Sequence, residues 1–153
     1  MAYTVVNASE AMLPQIEAIE QACFSMPWTR GQLAAQLDGD RHVFLAAVDG
    51  DRVLGYVGMM YVLDEGYIAN VAVAPEARRQ GIGRALISAL LQRADELELS
   101  FVTLEVRPSN TAAVALYSAF GFEPVGRRKN YYDKPSEDAL LMTKFRKGAS
   151  VPC

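Results

Sequence analysis

Apolar and polar residues recur along this chain with two periods, and the switches between them mark out its elements. Residues 3–6, Tyr-Thr-Val-Val, read as a short strand. Over residues 9–23 the period lengthens, with Met12, Ile16, Ile19 and Cys23 along one side of a predicted helix. Pro27 interrupts the pattern, and Thr29 with Gln32 three residues later matches a capping box for a second helix to about Leu37. Two strand-like runs, residues 43–48 and 52–62, flank Asp49-Gly50, a dipeptide that favours tight hairpins. Asp64-Glu65-Gly66 then turns the chain into a third apolar run, residues 67–73, rich in β-branched side chains. Pro75, with no N–H to donate, ends it.

From Gly81 to Glu98 the helical period returns through Ile82, Leu86, Leu90 and Leu97. Residues 100–106 alternate Phe101, Thr103 and Glu105 against Val102, Leu104 and Val106, as a strand does. Residues 110–120 predict a short helix ended by Gly121, a usual residue just past a helix C-terminus. Closing strands are predicted from Phe122 to about Arg128 and over residues 139–145, separated by Asn130-Tyr-Tyr-Asp-Lys-Pro. Residues 146–153 lack periodicity and are expected to be a disordered tail. There are no internal repeats and no linker, so residues 1–145 are expected to form a single α/β (α+β) domain.

At 153 residues the chain has the length of one domain, which buries about 68–70% of its unfolded surface. Its 51% hydrophobic and 22% charged residues argue against disorder. A net charge of −3 implies no generic polyanion-binding surface, and no nucleic-acid partner is expected. Two cysteines, Cys23 and Cys153, match neither a metal nor a disulfide framework, so no metal is expected. With no signal peptide and no 18-residue apolar run, a cytoplasmic protein without a membrane partner is expected, and a monomer is favoured.

The chemistry concentrates where the central apolar run gives way to a helix. Arg78-Arg79-Gln80-Gly81-Ile82-Gly83-Arg84 joins a strand to a helix N-terminus, whose free N–H groups and dipole suit an anion. Glycine lets the backbone approach a phosphate, and three arginines add positive charge. A tight turn with solvated arginines would look much the same. The string is not a dinucleotide fingerprint, because Leu86 stands at the third glycine position, and no Gly-Lys-Ser/Thr follows as in a P-loop.

Placed after Asn70-Val-Ala-Val-Ala-Pro, the turn resembles the pyrophosphate-binding motif Q/R-x-x-G-x-G/A of the GNAT acetyltransferases. The resemblance implies the GNAT fold, a mixed central sheet of about six to seven strands flanked by about four helices, and acetyl-coenzyme A as cosubstrate. It places Arg78, Arg79, Gln80, Gly81, Ile82, Gly83 and Arg84 on the coenzyme diphosphate, and the backbone of Val71, Ala72 and Val73 on the pantetheine arm and acetyl oxygen. The signature Asn110-x-x-Ala-x-x-Leu-Tyr117-x-x-x-Gly-Phe122 implies that Asn110 contacts the pantetheine and that Tyr117 lies beside the sulfur, as the acid for the leaving thiolate. Leu104-Glu105-Val-Arg107, Pro27-Trp28 and Arg127-Arg-Lys-Asn-Tyr131-Tyr132-Asp133 resemble the RimI-type ribosomal-protein alanine acetyltransferases of this family. They imply Glu105 as general base and Trp28, Tyr132 and Asp133 beside the acceptor.

For the last element the commonest form has one residue where this chain has Lys129-Asn130. The implied reaction is acetylation of the N-terminal alanine of a small-subunit ribosomal protein. Residue by residue, blander roles stay open: Glu105 as an arginine-paired strand carboxylate, Tyr117 as a packing tyrosine, Trp28 as a loop plug. The rival functions are acetylation of other N-termini, lysines or small amines, and a coenzyme-A-binding module without turnover.

Overall fold

A computed structural model describes residues 2–146; the expected tail beyond Arg146 lies outside the described residues, as does Cys153. Seven strands form one sheet: β1 (Thr4–Asn7), β2 (His42–Asp49), β3 (Arg52–Val62), β4 (Glu65–Val73), β5 (Phe101–Val106), β6 (Glu123–Tyr132) and β7 (Glu137–Phe145). Their order across the sheet is β1-β2-β3-β4-β5-β7-β6, antiparallel throughout except for the β4–β5 pair. Four helices flank it: α1 (Leu13–Cys23), α2 (Arg30–Ala35), α3 (Ile82–Glu96) and α4 (Thr111–Ala119). Both strand and helix numbers agree with the expected GNAT-like layout.

β3 is buried from Val53 to Met59, on both of its faces. On one face a Cβ at Gly55 would meet Ile82 and Leu86 of α3 at 3.3 Å. On the other, Tyr56 bonds to Glu20 of α1. Because neighbouring strand residues point to opposite faces, the sheet lies between α3 and the α1–α2 pair. A strand covered on both sides is apolar throughout rather than alternating.

Helix ends follow the local chemistry. The Thr29–Gln32 capping box forms: Gln32 N–H donates to Thr29 Oγ1 (3.2 Å) and Thr29 N–H to Gln32 Oε1 (2.9 Å). The helix it starts is shorter than expected, with Gln36 as its C-cap. The expected helix over 9–23 is a 3-10 turn, Glu10–Met12, followed by α1, with Pro14 in the first turn where a missing N–H costs nothing.

α3 is also shorter than expected. Leu97 is its C-cap and is 37% exposed rather than part of the buried stripe. Glu98 turns left-handed (φ 57°), Glu98 N–H donates to Asp95 O, and Leu99 N–H to Ala94 O. That double bond is a Schellman closure, and Leu99 rather than Leu97 is driven inward. Gly121 (φ 93°) closes α4 the same way, with Phe122 N–H donating to Tyr117 O (3.1 Å).

Two strand boundaries differ from expectation for reasons that matter at the site. β4 begins at Glu65 instead of Tyr67, because Leu63 takes the left-handed turn position (φ 55°) and frees Glu65 and Gly66 to pair. β6 runs on to Tyr132 instead of ending near Arg128. Arg128 faces Ala139 and Tyr132 faces Glu137, so Lys129, Asn130 and Tyr131 oppose Asp138 alone. The surplus is taken up as a bulge, with Asn130 at φ 52° and its N–H bonded to Asp138 Oδ1 (2.9 Å). Asparagine tolerates that conformation better than most residues.

Candidate active site

The parallel β4–β5 ladder is brief. Glu65, Gly66 and Tyr67 pair with Phe101, Val102 and Thr103, and there the pairing stops. Over Ile68–Val73 β4 still pairs with β3, with Ala69 left out of register as a bulge between Ile68 and Asn70. β5 meanwhile keeps its pairing with β7 through Val106. A wedge therefore opens between Val71–Val73 on one side and Leu104–Val106 on the other. The edge of β4 that would have met β5 has no ladder partner there, which is where the GNAT resemblance placed the contacts to the donor arm.

At the end of β4 the chain passes through a 3-10 turn, Pro75–Ala77, into the arginine–glycine turn. Gly81 is the N-cap of α3 at φ 79°, and no side chain caps the helix. Its first-turn N–H groups thus keep their donors for an anion. Arg79 also takes positive φ (66°). Arg78, Arg79, Gln80 and Arg84 are all exposed, and Arg78 also folds back, donating to Val73 O and Cys23 Sγ at 3.4 Å each. Gly81 is needed for its conformation. Gly83 is not: a Cβ there meets Leu116 at an ordinary 3.5 Å. Its lack of a side chain keeps the approach to the helix terminus open. Gly83→Glu is accordingly expected to fold with a nearly unchanged Tm while losing the Tm increase that acetyl-coenzyme A gives the parent. Thermal melts with and without the coenzyme check this, and an undiminished shift places the anion elsewhere.

Glu105, on β5, is half-buried and lies 3.2 Å from Arg128 Nε on β6. Tyr117 sits inside α4, 8% exposed, its ring edge-on to Phe122 at 5.7 Å. Burial pushes its hydroxyl up to about 12. The β6 bulge places Tyr131 under Arg128, the partner of Glu105, with the guanidinium 5.8 Å over its ring, and the Glu105 carboxylate, with burial, raises the Tyr131 hydroxyl. Tyr132 is raised to about 12, by burial first and then by Glu105, Tyr131 and Tyr117, against the pull of Arg107. Tyr131 and Tyr132 pack edge to face at 5.0 Å. Glu105, Arg128, Tyr131 and Tyr132 therefore form one connected group.

Arg107 holds that region in shape. Its guanidinium lies 4.4 Å over the Tyr132 ring, donates to the carbonyls of Asp133 (2.9 Å) and Pro135 (2.8 Å), and pairs with Glu137 at 3.4 Å. Glu137 in turn accepts from Ser109 N–H and Oγ, both at 2.8 Å, and these bonds lower its carboxyl below the usual range. The Asp133 carboxylate is spent locally on Lys134 N–H (3.0 Å). Asn110 caps α4, its Oδ1 accepting from Ala113 N–H at 3.2 Å. Trp28 is half-buried against the core and donates its backbone N–H to Glu20 Oε2 (2.9 Å).

The sequence reading missed one cluster. Glu20, Tyr56, Asn70 and Gln36 form a buried chain of polar side chains under the β4 bulge. Its signal was available: Glu20 follows Ile16 by four residues, in the apolar stripe of α1, and Asn70 interrupts an apolar strand.

The parted parallel strand pair, the uncapped helix terminus and the carboxylate beside two tyrosines are the parts that the GNAT resemblance leads one to expect of an acetyltransferase. Residues 13–122 match the acetyltransferase (GNAT) family model, and the chain belongs to that family. It is 35% identical over 131 residues (85% of this chain, 87% of the relative) to a putative ribosomal protein bS18-alanine N-acetyltransferase of Bacillus subtilis. The ribosomal protein bS18-alanine N-acetyltransferase of Escherichia coli K12 is 34% identical over 141 residues, covering 91% and 95% of the two chains. Among solved structures, the crystal structure of the ribosomal-protein-S18-alanine N-acetyltransferase from Escherichia coli superposes with a TM-score of 0.89 at 31% identity, covering 99% and 97%. No helix among the described residues is long and apolar enough to cross a membrane.

Proposed function

We propose that this enzyme transfers the acetyl group of acetyl-coenzyme A to the N-terminal α-amine of a small-subunit ribosomal protein, an alanine in bS18, acting in the cytoplasm. The observation that carries the chemistry is the stop in β4–β5 pairing, with Glu105 on the β5 side of it tied to Arg128, Tyr131 and Tyr132. The acceptor comes from relatives about a third identical over most of their length, which are named for it.

In this reading the first turn of α3, with Arg79 and Arg84, holds the diphosphate. The open backbone of Val71–Val73 aligns the pantetheine arm and polarises the acetyl carbonyl. Asn110 reaches the arm with the amide nitrogen that its capping role leaves over. Trp28, Tyr132 and the turn at Asp133 border the acceptor. Glu105 takes the ammonium proton, the freed amine attacks the acetyl carbon, the C–S bond breaks as the C–N bond forms, and Tyr117 gives its hydroxyl proton to the departing sulfur. An α-amine titrates near 7.7–8.0 and a lysine near 10.4, so at neutral pH the α-amine yields its proton at about 2–3 units less cost.

A peptide with a free N-terminal alanine is therefore expected to be acetylated at that amine, whereas the same peptide with a blocked N-terminus and an internal lysine is not. Thiol release with mass spectrometry of the products checks this. Equal modification of the lysine peptide rejects the N-terminal assignment.

A further inference from the structure

Among the described residues Glu20 is the only buried carboxyl group, 2% exposed, and no lysine or arginine pairs with it. Burying such a group is costly unless donors satisfy it. Three donors do, from three separate segments. Oε1 accepts from the Tyr56 hydroxyl on β3 and from Asn70 Nδ2 (3.1 Å) at the β4 bulge. Oε2 accepts the backbone N–H of Trp28 (2.9 Å), in the loop between α1 and α2. Asn70 Oδ1 then accepts Gln36 Nε2 (3.2 Å), just past α2. The Gln36 amide lies so close over Gly58 that a Cβ there would stand 1.9 Å from Oε1. This polar chain thus spans from the acceptor loop, beneath the sheet, to the irregular part of β4. None of its side chains carries a step of acyl transfer.

We propose that Glu20 is a positioning residue that pins the loop bearing Trp28 to the bulged stretch of β4, fixing where the acceptor amine meets the acetyl group. One carboxyl oxygen holds the donor-side strand through Asn70; the other holds the acceptor-side loop through Trp28. The role in acceptor placement rests on the peptide-acetylation reading, but the state of the loop itself does not.

Glu20→Gln separates the two arms. The amide oxygen stays where two donors converge, at Tyr56 and Asn70, which leaves its NH2 against the Trp28 N–H, donor to donor. The loop is then released while the strand is held. Trp28 is the sole tryptophan, so its fluorescence reports the loop alone.

The expected result is a rise of about twofold or more in acrylamide quenching of Trp28 and of about tenfold in peptide KM, the weight of one hydrogen bond to a charged group. Acetyl-coenzyme A Kd should hold near the parent value. Tyr56→Phe removes a different bond to the same carboxyl and is expected to lower Tm without raising the quenching. Parent-like quenching in Glu20→Gln, or equal increases in both variants, overturns the proposal.

Should Glu20→Gln not fold, amide exchange in the unaltered protein decides. A Trp28 N–H protected like those of β3 supports the pin, and one exchanging at loop rates overturns it. A flawed acceptor assignment would void only the KM comparison, leaving quenching and exchange to stand.

Discussion

Glu105→Gln is expected to lower kcat/KM for the alanine peptide by about 10²–10⁴-fold, the usual worth of a positioned base. The glutamine keeps the shape of the side chain on β5 and can still accept from Arg128 across 3.2 Å, so the strand and its β7 pairing are preserved. What disappears is the proton acceptor. The loss should shrink as pH rises toward the amine's own pKa, because solvent then delivers the amine already deprotonated. A pH–rate profile of variant and parent on one peptide measures this. A constant ratio across pH makes Glu105 a structural partner of Arg128 and Tyr131, not the base.

The second large effect falls on Tyr117. Tyr117→Phe removes one oxygen from a buried helical ring and leaves the packing on Phe122 intact. Turnover is expected to fall by about 10²–10⁴-fold with donor Kd nearly unchanged. Burial holds the hydroxyl up near 12, so it stays protonated, and able to donate, through the whole neutral range. No rise in pH should therefore recover the variant, which distinguishes a missing acid from a missing base. Calorimetry for donor Kd beside the pH–rate profile supplies the check. Weakened donor binding with an undiminished kcat would make Tyr117 a packing residue.

Local chemistry was legible where one residue type has one economical conformation. The Thr29–Gln32 box and the Gly121 closure follow from orphan N–H and C=O groups that only such residues satisfy nearby. Leu97 misled because helical spacing continues through it, while the chain ends the helix by turning Glu98 left-handed and sending Leu99 inward. The longer β6 was hidden for a related reason. Lys129-Asn130 looks like turn sequence, yet Asp138 across the ladder captures Asn130 and turns the surplus into a bulge. That bulge sets Tyr131 under Arg128, the partner of Glu105, which spacing alone could not foretell.

The parting of β4 and β5 is a failure of pairing between strands about thirty residues apart, and apolar alternation is blind to it. Glu20 left only a faint signal, its place on the apolar stripe of α1. A lone glutamate on a helix is ordinarily solvated, and only the fold reveals that Tyr56, Asn70 and Trp28 surround it.

The unmade half of the β4–β5 ladder has a consequence for how the protein can change over time. In the proposed reading a donor arm along Val71–Val73 is read by peptide N–H and C=O groups, which every residue but proline presents alike. Side chains at these positions answer to the core and to α3, not to the ligand. Substitutions there are filtered for volume and strand geometry alone, while the recognition they carry is inherited with the backbone path. On that reading the grip on the common donor is insulated from drift. On the proposed reading, adaptation to a new acceptor is left to the α1–α2 loop at Trp28 and the end of β6 at Tyr132, where side-chain identity counts.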